Sequence, residues 1–139
     1  MHLTLVSITR KILDLPSIKS VTIPTKDGEI TILPNHMPLI TALAPGILTV
    51  RFDHKETSYA IGWGVVETSG SILTIAADMV EEGGELNLED VRKKKEEARK
   101  LLESYRDTHE VMDMDRYVEL EYEFLKESAK EQLATGSTR

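Results

Sequence analysis

The residues able to do chemistry are few and scattered. The chain holds four histidines, His2, His36, His54 and His109, and no cysteine. The histidines lack metal-ligand spacing. Without cysteine there is no thiolate nucleophile, disulfide framework or thiolate-bound metal. The serines and threonines fall in strand or turn stretches, and no G-x-S-x-G elbow surrounds any of them. No P-loop or G-x-G-x-x-G is present, and Gly62-Trp63-Gly64 is too short to cradle a phosphate. Carboxylates abound in the last third, but at the spacing of a solvated helix face. An autonomous enzyme is therefore not expected. His36 has no carboxylate or second histidine beside it, so it reads as a structural or interface residue. One basic cluster stands out: Arg92-Lys93-Lys94-Lys95 with Arg99 and Lys100. It is either a solvated face balanced by Glu89, Glu96, Glu97 and Glu103 through i,i+4 pairs, or a contact for an anion or an acidic protein.

Composition narrows the setting. Net charge is -7 over 139 residues, which argues against a general nucleic-acid binder. The 40% apolar content supports a packed core, and the 5% aromatic content makes that core aliphatic. No run of about 20 apolar residues exists to span a bilayer. The start, MHLTLVSITRK, alternates and lacks the apolar stretch of a signal peptide. Membrane association is expected only through a partner.

The elements that must position these residues fall into two sets. Residues 1–84 read as nine or ten short strands with turns at Lys26-Asp27-Gly28, Asp53-His54-Lys55 and Ser69-Gly70-Ser71. This pattern predicts an antiparallel sandwich or flattened barrel. Within it, Gly28–Gly46 carries three of the five prolines, Pro34, Pro38 and Pro45. Proline cannot donate to a sheet ladder, so each marks an edge, corner or turn. Residues 85–139 read as two amphipathic helices. Asn87 caps the first, which runs from Leu88 to about Tyr105. Arg106-Asp107-Thr108-His109 breaks the pattern, and Asp113 or Asp115 caps the second helix, to about Leu133. The basic first helix and the acidic first half of the second (Asp113, Asp115, Glu119, Glu121, Glu123, Glu127) are expected to attract. Such a hairpin cannot bury both faces alone, so it lies on the sandwich, on another protein, or alternates between them. Trp63, the single tryptophan, either fills the core or adds to a partner contact.

The run Gly28-Glu29-Ile30-Thr31-Ile32-Leu33-Pro34-Asn35-His36-Met37-Pro38-Leu39-Ile40-Thr41-Ala42-Leu43-Ala44-Pro45-Gly46 closely resembles the signature of the epsilon subunit of F-type ATP synthases. The resemblance continues in HLTLVS at the start, Gly64-Val65-Val66-Glu67, Thr74-Ile75-Ala76-Ala77-Asp78 and the two-helix tail, and so covers essentially the whole chain. It implies an N-terminal ten-stranded antiparallel β-sandwich followed by a C-terminal antiparallel two-helix hairpin. It implies a non-catalytic rotor subunit between gamma and the c-ring, with a hairpin able to reach the alpha and beta subunits and inhibit ATP hydrolysis. The location implied is peripheral, on the cytoplasmic face of a bacterial plasma membrane or the stromal face of a plastid thylakoid.

Carried over by motif, Lys26, Asp27 and Glu29 match the c-ring contact, and Ser7, His36, Met37 and Thr41 match the face toward gamma. No cofactor is required, but some members bind ATP as a regulatory ligand through an [IL]-D-x-x-R-A motif. Here that stretch is Leu88-Glu89-Asp90-Val91-Arg92-Lys93, so Arg92 matches while Glu89 and Lys93 depart from the pattern. Arg99 matches a further nucleotide-contacting arginine, while on the second helix the corresponding positions are Tyr122 and Lys126, so the ATP set the resemblance suggests, Glu89, Arg92, Arg99 and Lys126, lacks at least one arginine. Lys94, Lys95 and Lys100 match an inhibitory basic face. Thr31, Asn35 and Trp63 stand where glycine is usual, and Asn35 is expected to keep the turn through a left-handed backbone. The competing class is a stand-alone β-sandwich adaptor whose hairpin binds a partner. A small nucleotide sensor is a third.

Overall fold

The computed structural model of the protein describes residues 1–108 and 113–136, with Glu85 described by its backbone alone. Ten strands come first: β1 (His2–Ser7), β2 (Lys11–Leu15), β3 (Ser20–Thr25), β4 (Gly28–Ile32), β5 (Leu39–Leu43), β6 (Gly46–Phe52), β7 (Lys55–Ile61), β8 (Gly64–Thr68), β9 (Ile72–Ala77) and β10 (Val80–Glu82). A 3-10 turn, Gly83–Glu85, leads to α1 (Leu88–Thr108) and α2 (Met114–Ala134).

The strands form two five-stranded sheets. Sheet I has the order β2-β1-β9-β8-β5 and sheet II the order β10-β7-β6-β3-β4. Alternation with period two sends one parity of each strand into the space between the sheets. Leu3, Leu5, Leu73, Ile75 and Val66 from sheet I meet Val21, Ile23, Ile32, Leu48, Val50, Tyr59 and Ile61 from sheet II, and all are essentially inaccessible to solvent. Tyr59 is the sole aromatic among these residues, so the core is aliphatic as its composition suggests.

Two details differ from the sequence expectation. The strand pairs are antiparallel except one: β1 runs parallel to β9, from His2 opposite Ile72 to Ser7 opposite Ala77. Alternation specifies which face is buried, not the direction of the neighbour, so a parallel pair between distant strands leaves no local signal. The first helix does not break at Arg106 but continues to Thr108. No glycine or proline interrupts it, and the Thr108 hydroxyl donates back to the Ser104 carbonyl at 2.6 Å. His109 lies outside the described residues.

The proline-rich stretch is where the chain changes sheets. β4 belongs to sheet II, β5 to sheet I and β6 to sheet II again. Pro34 and Pro38 sit in the first crossing and Pro45 in the second, so none occupies a ladder position. Asn35 takes φ +66°, the left-handed turn expected of it, and its N–H donates to the Gly70 carbonyl at 3.2 Å. That bond ties the first crossing to the β8–β9 turn.

The helices form an antiparallel pair. Asn87 Oδ1 accepts from the N–H groups of Glu89 and Asp90 at 3.0 and 3.3 Å, as an N-cap should. Asp113 does the same for Asp115 and Arg116. The Tyr105 hydroxyl accepts from the Asp113 N–H at 2.9 Å, tying the end of α1 to the start of α2. α2 carries the hairpin onto the outer face of sheet II, where Ala129 and Leu133 bury Ile47 of β6 and Ala60 of β7. Met79 and Leu86 pack at the margin of this small cluster.

Candidate functional site

Three surfaces gather the residues singled out in the sequence. The first is the β3–β4 hairpin. Thr25 Oγ1 accepts from the Asp27 N–H at 3.2 Å and donates to the Gly28 carbonyl at 2.6 Å. Gly28 adopts φ +115°, which a side chain would strain. These bonds hold Lys26, Asp27 and Glu29 outward, all three exposed, at the end of the edge strand of sheet II. The three charges are thus brought together on a braced tip.

The second surface is the outer face of sheet I. Leu43, Thr41 and Leu39 of β5 lie opposite Gly64, Val66 and Thr68 of β8. Val66 is buried, so this parity points inward, and Thr41 is half-buried on the inner side. The opposite parity points out. There Ile40 is 72% exposed, Val65 52% and Ile72 53%, with Ala42 and Ala76 beside them. At one end of this face Met37 is 79% exposed, while His36 is held by a 2.7 Å bond between its Nδ1 and the Met37 carbonyl. At the other end of the sheet Ser7, on the inward parity of β1 with Leu3 and Leu5, pairs in register with Ala77, which is aligned with Gly64 and so with Leu43. A shallow groove of about 440 Å³ lies there, lined by Ile8, Trp63, Val65 and Ala76 among others.

The four residues matched to one interface are therefore not brought together as a cluster. Ser7 and the His36–Met37 pair mark opposite ends of one sheet, and Thr41 supports it from inside. Sequence reasoning missed Ile40, Ala42, Val65, Ile72 and Ala76. The available signal was that β5, β8 and β9 carry apolar residues at both parities, beside Glu67 and Thr74 on the outer one, although only one parity can face the sandwich core.

The third surface is the joint between hairpin and sandwich. Trp63 neither fills the core nor stands free. Its ring stacks on that of Tyr122 from α2, with centroids 3.7 Å apart and planes 6° from parallel. The Tyr122 hydroxyl accepts from the Trp63 N–H at 2.9 Å and donates to Asp78 Oδ1. Burial, aided by the Asp78 bond, pushes the Tyr122 hydroxyl well above its usual pKa. The Lys126 ammonium sits 4.7 Å from the centroid of the same ring. Gly62 makes the approach feasible, since a Cβ there would lie 2.1 Å from the Tyr122 hydroxyl oxygen.

The charged residues of the helices are engaged in different ways. Arg92 and Lys95 reach across to Glu131 of α2, at 3.6 and 3.1 Å. The attraction between helices thus runs to the second half of α2, not to its acidic first half. Arg99 bonds Glu96 and Glu103 within α1, which lowers the Glu96 pKa. Lys126 pairs with Glu123 within α2 at 2.9 Å. Glu89 is exposed in the first turn. Of the four residues matched to ATP binding, only Arg92 has an ion pair across the helices, so the structure does not assemble them into an open anion site. Of the inhibitory set, Lys94 and Lys100 are exposed, while Lys95 is half-buried against Glu131 and Phe124.

Comparison with known proteins gives a consistent result. Residues 1–83 match the family model for the ATP synthase, Delta/Epsilon chain, beta-sandwich domain. The ATP synthase epsilon chain of Chloroflexus aggregans is 38% identical over 86 residues, covering 62% of this chain and 61% of that one. The chain thus aligns with about three-fifths of that relative's length. The epsilon chain of Hydrogenobaculum sp. is 32% identical over 108 residues, covering 78% and 79%. In fold, the chain is similar to one in the cryo-EM structure of the Euglena gracilis mitochondrial ATP synthase, OSCP/F1/c-ring in rotational state 1. The TM-score is 0.76 at 24% identity, covering 99% of this chain and 80% of that one. With its sandwich domain matched throughout and its helices aligned in part, the chain belongs to the delta/epsilon chain family of ATP synthases.

Proposed function

We propose that the chain is a non-catalytic central-stalk subunit of an F-type ATP synthase, coupling gamma to the c-ring during proton-driven ATP synthesis. The observation that carries this reading is the outer face of sheet I, where Ile40, Val65 and Ile72 stand exposed around Glu67 and Thr74, on a face with no substantial helix packing among the described residues. A monomer gains nothing from such a face, whereas a protein interface does. Gamma would dock there, with His36–Met37 at one end, Ser7 in the groove at the other, and Thr41 behind the face. The c-ring loops would meet Lys26, Asp27 and Glu29 on the braced hairpin. β4 separates that tip from the His36 loop by five residues, roughly 15 Å, so one rigid strand links two contacts. The chain would then sit peripherally through the complex, on the cytoplasmic face of a bacterial membrane or the stromal face of a thylakoid.

In this reading residues 85–139 form a regulatory domain, with Lys94 and Lys100 free to meet an acidic segment of beta and Lys95 freed only when the helices part. ATP is a regulatory ligand only if the ion pairs of Arg92, Arg99 and Lys126 open first. Titration calorimetry of the full chain with ATP is expected to give no heat at micromolar concentrations. The adaptor reading has no use for an exposed sheet face together with a braced charged tip. Co-purification of the full chain with gamma and the c-ring tests the proposal, and recovery of the chain free of both would overturn it.

A further inference from the structure

The hairpin is held to the sandwich at two places of different kinds. Near its C-terminus, α2 buries Ala129 and Leu133 against Ile47 and Ala60, an ordinary apolar contact. Nearer its start the attachment is one aromatic pair with a polar core. Trp63 belongs to the β7–β8 corner and Asp78 to the β9–β10 corner, and the two corners are bonded directly through the Asp78 N–H and the Trp63 carbonyl at 2.9 Å. Tyr122 closes on both, stacking on one and hydrogen-bonded to each. A stacked pair adds to its area burial, and a buried hydroxyl stripped of its partners is costly. The joint is therefore an all-or-none contact: with Tyr122 withdrawn, the Trp63 N–H and Asp78 both lose it together.

We propose that Trp63, Asp78 and Tyr122 form a latch that sets whether α2 stays on the sandwich, so that the closed hairpin is held by the chain's own residues and needs no nucleotide between its helices. Lys126 serves the latch, lying over the Tyr122 ring. Trp63 also lines the groove on the outer face of sheet I, so the latch borders the surface assigned above to gamma. The regulatory consequence rests on the reading of the hairpin as an inhibitory element, but the latch itself does not.

Hydrogen exchange on the full chain tests it, comparing wild type with Tyr122→Phe, Asp78→Ala and Gly62→Ala. Tyr122→Phe keeps the ring and loses both hydrogen bonds. Gly62→Ala places a methyl group where the hydroxyl sits. In all three variants the α2 amides should exchange about tenfold faster while β1 to β9 keep their protection, and millimolar ATP should not restore wild-type exchange. Unchanged α2 exchange, a loss spread equally over the strands, or full rescue by ATP would each overturn the latch. The same variants in a reconstituted complex separate the two ideas. Faster α2 exchange with unaltered ATP hydrolysis leaves the latch standing and removes the inhibitory role of the hairpin.

Discussion

The sandwich and the hairpin are built from unequal amounts of burial. Among the described residues, fifteen buried apolar side chains fill the space between the sheets, whereas four join α2 to sheet II. Each buried aliphatic residue is worth roughly 1.5–3 kcal/mol, so the sandwich holds itself together and the hairpin is held on by a narrow strip and an aromatic joint. The difference separates two jobs. A rigid body suits the transmission of force between partners. A thinly attached pair of helices suits a change of position.

The largest effect should come from the sandwich. Replacing Ile75, fully buried in β9, by alanine is expected to cost about 2–5 kcal/mol and to lower the urea midpoint of the whole chain. Leu133→Ala removes a similar volume from the thin attachment. It should cost roughly 2 kcal/mol and release the helices while the strands keep their exchange protection. If Leu133→Ala unfolds the strands as well, the two regions are one cooperative unit and the contrast fails.

A smaller effect is set by pH. The Tyr122 hydroxyl has its pKa raised in the folded chain by burial and by Asp78. The contribution of such a group is fully present below the unfolded value near 10. It declines as pH rises from there toward the folded pKa, because the released chain gives up a proton that the docked chain retains. The docked hairpin should therefore loosen above about pH 10. Tyr59 in the core is also raised by burial, so the difference between wild type and Tyr122→Phe isolates the joint. Equal alkaline sensitivity in the two proteins would assign the whole effect to the core. The smallest effect belongs to the ion pairs. Glu131→Gln should lower stability by less than about 1 kcal/mol, since partly exposed pairs are screened. The loss should shrink further in high salt.

Much of this is legible in the amino-acid sequence alone. The strand alternation, the sheet-changing prolines and the caps at Asn87 and Asp113 all follow from local rules. So does the left-handed turn at Asn35. What escaped was register and pairing at a distance. Thr41 has one neighbouring parity apolar and the other also apolar, so the sequence does not say which points inward. The Trp63–Tyr122 stack joins positions 59 residues apart, beyond any local pattern. The parallel pairing of β1 with β9 is hidden for the same reason. The exposed face of sheet I looked like ordinary strand hydrophobicity until the sheets were seen to have only one inner side each.

That face carries the central claim, and it can be struck without touching the core. Ile40→Lys with Val65→Lys places two charges on the outer surface of sheet I, where surface substitutions change stability by only about 0.5 kcal/mol. The direct measurement is co-purification of this double variant, alongside wild type, with gamma and the c-ring. The account predicts that wild type is recovered with the complex and that the folded variant is not. Recovery of the variant at wild-type levels would contradict it.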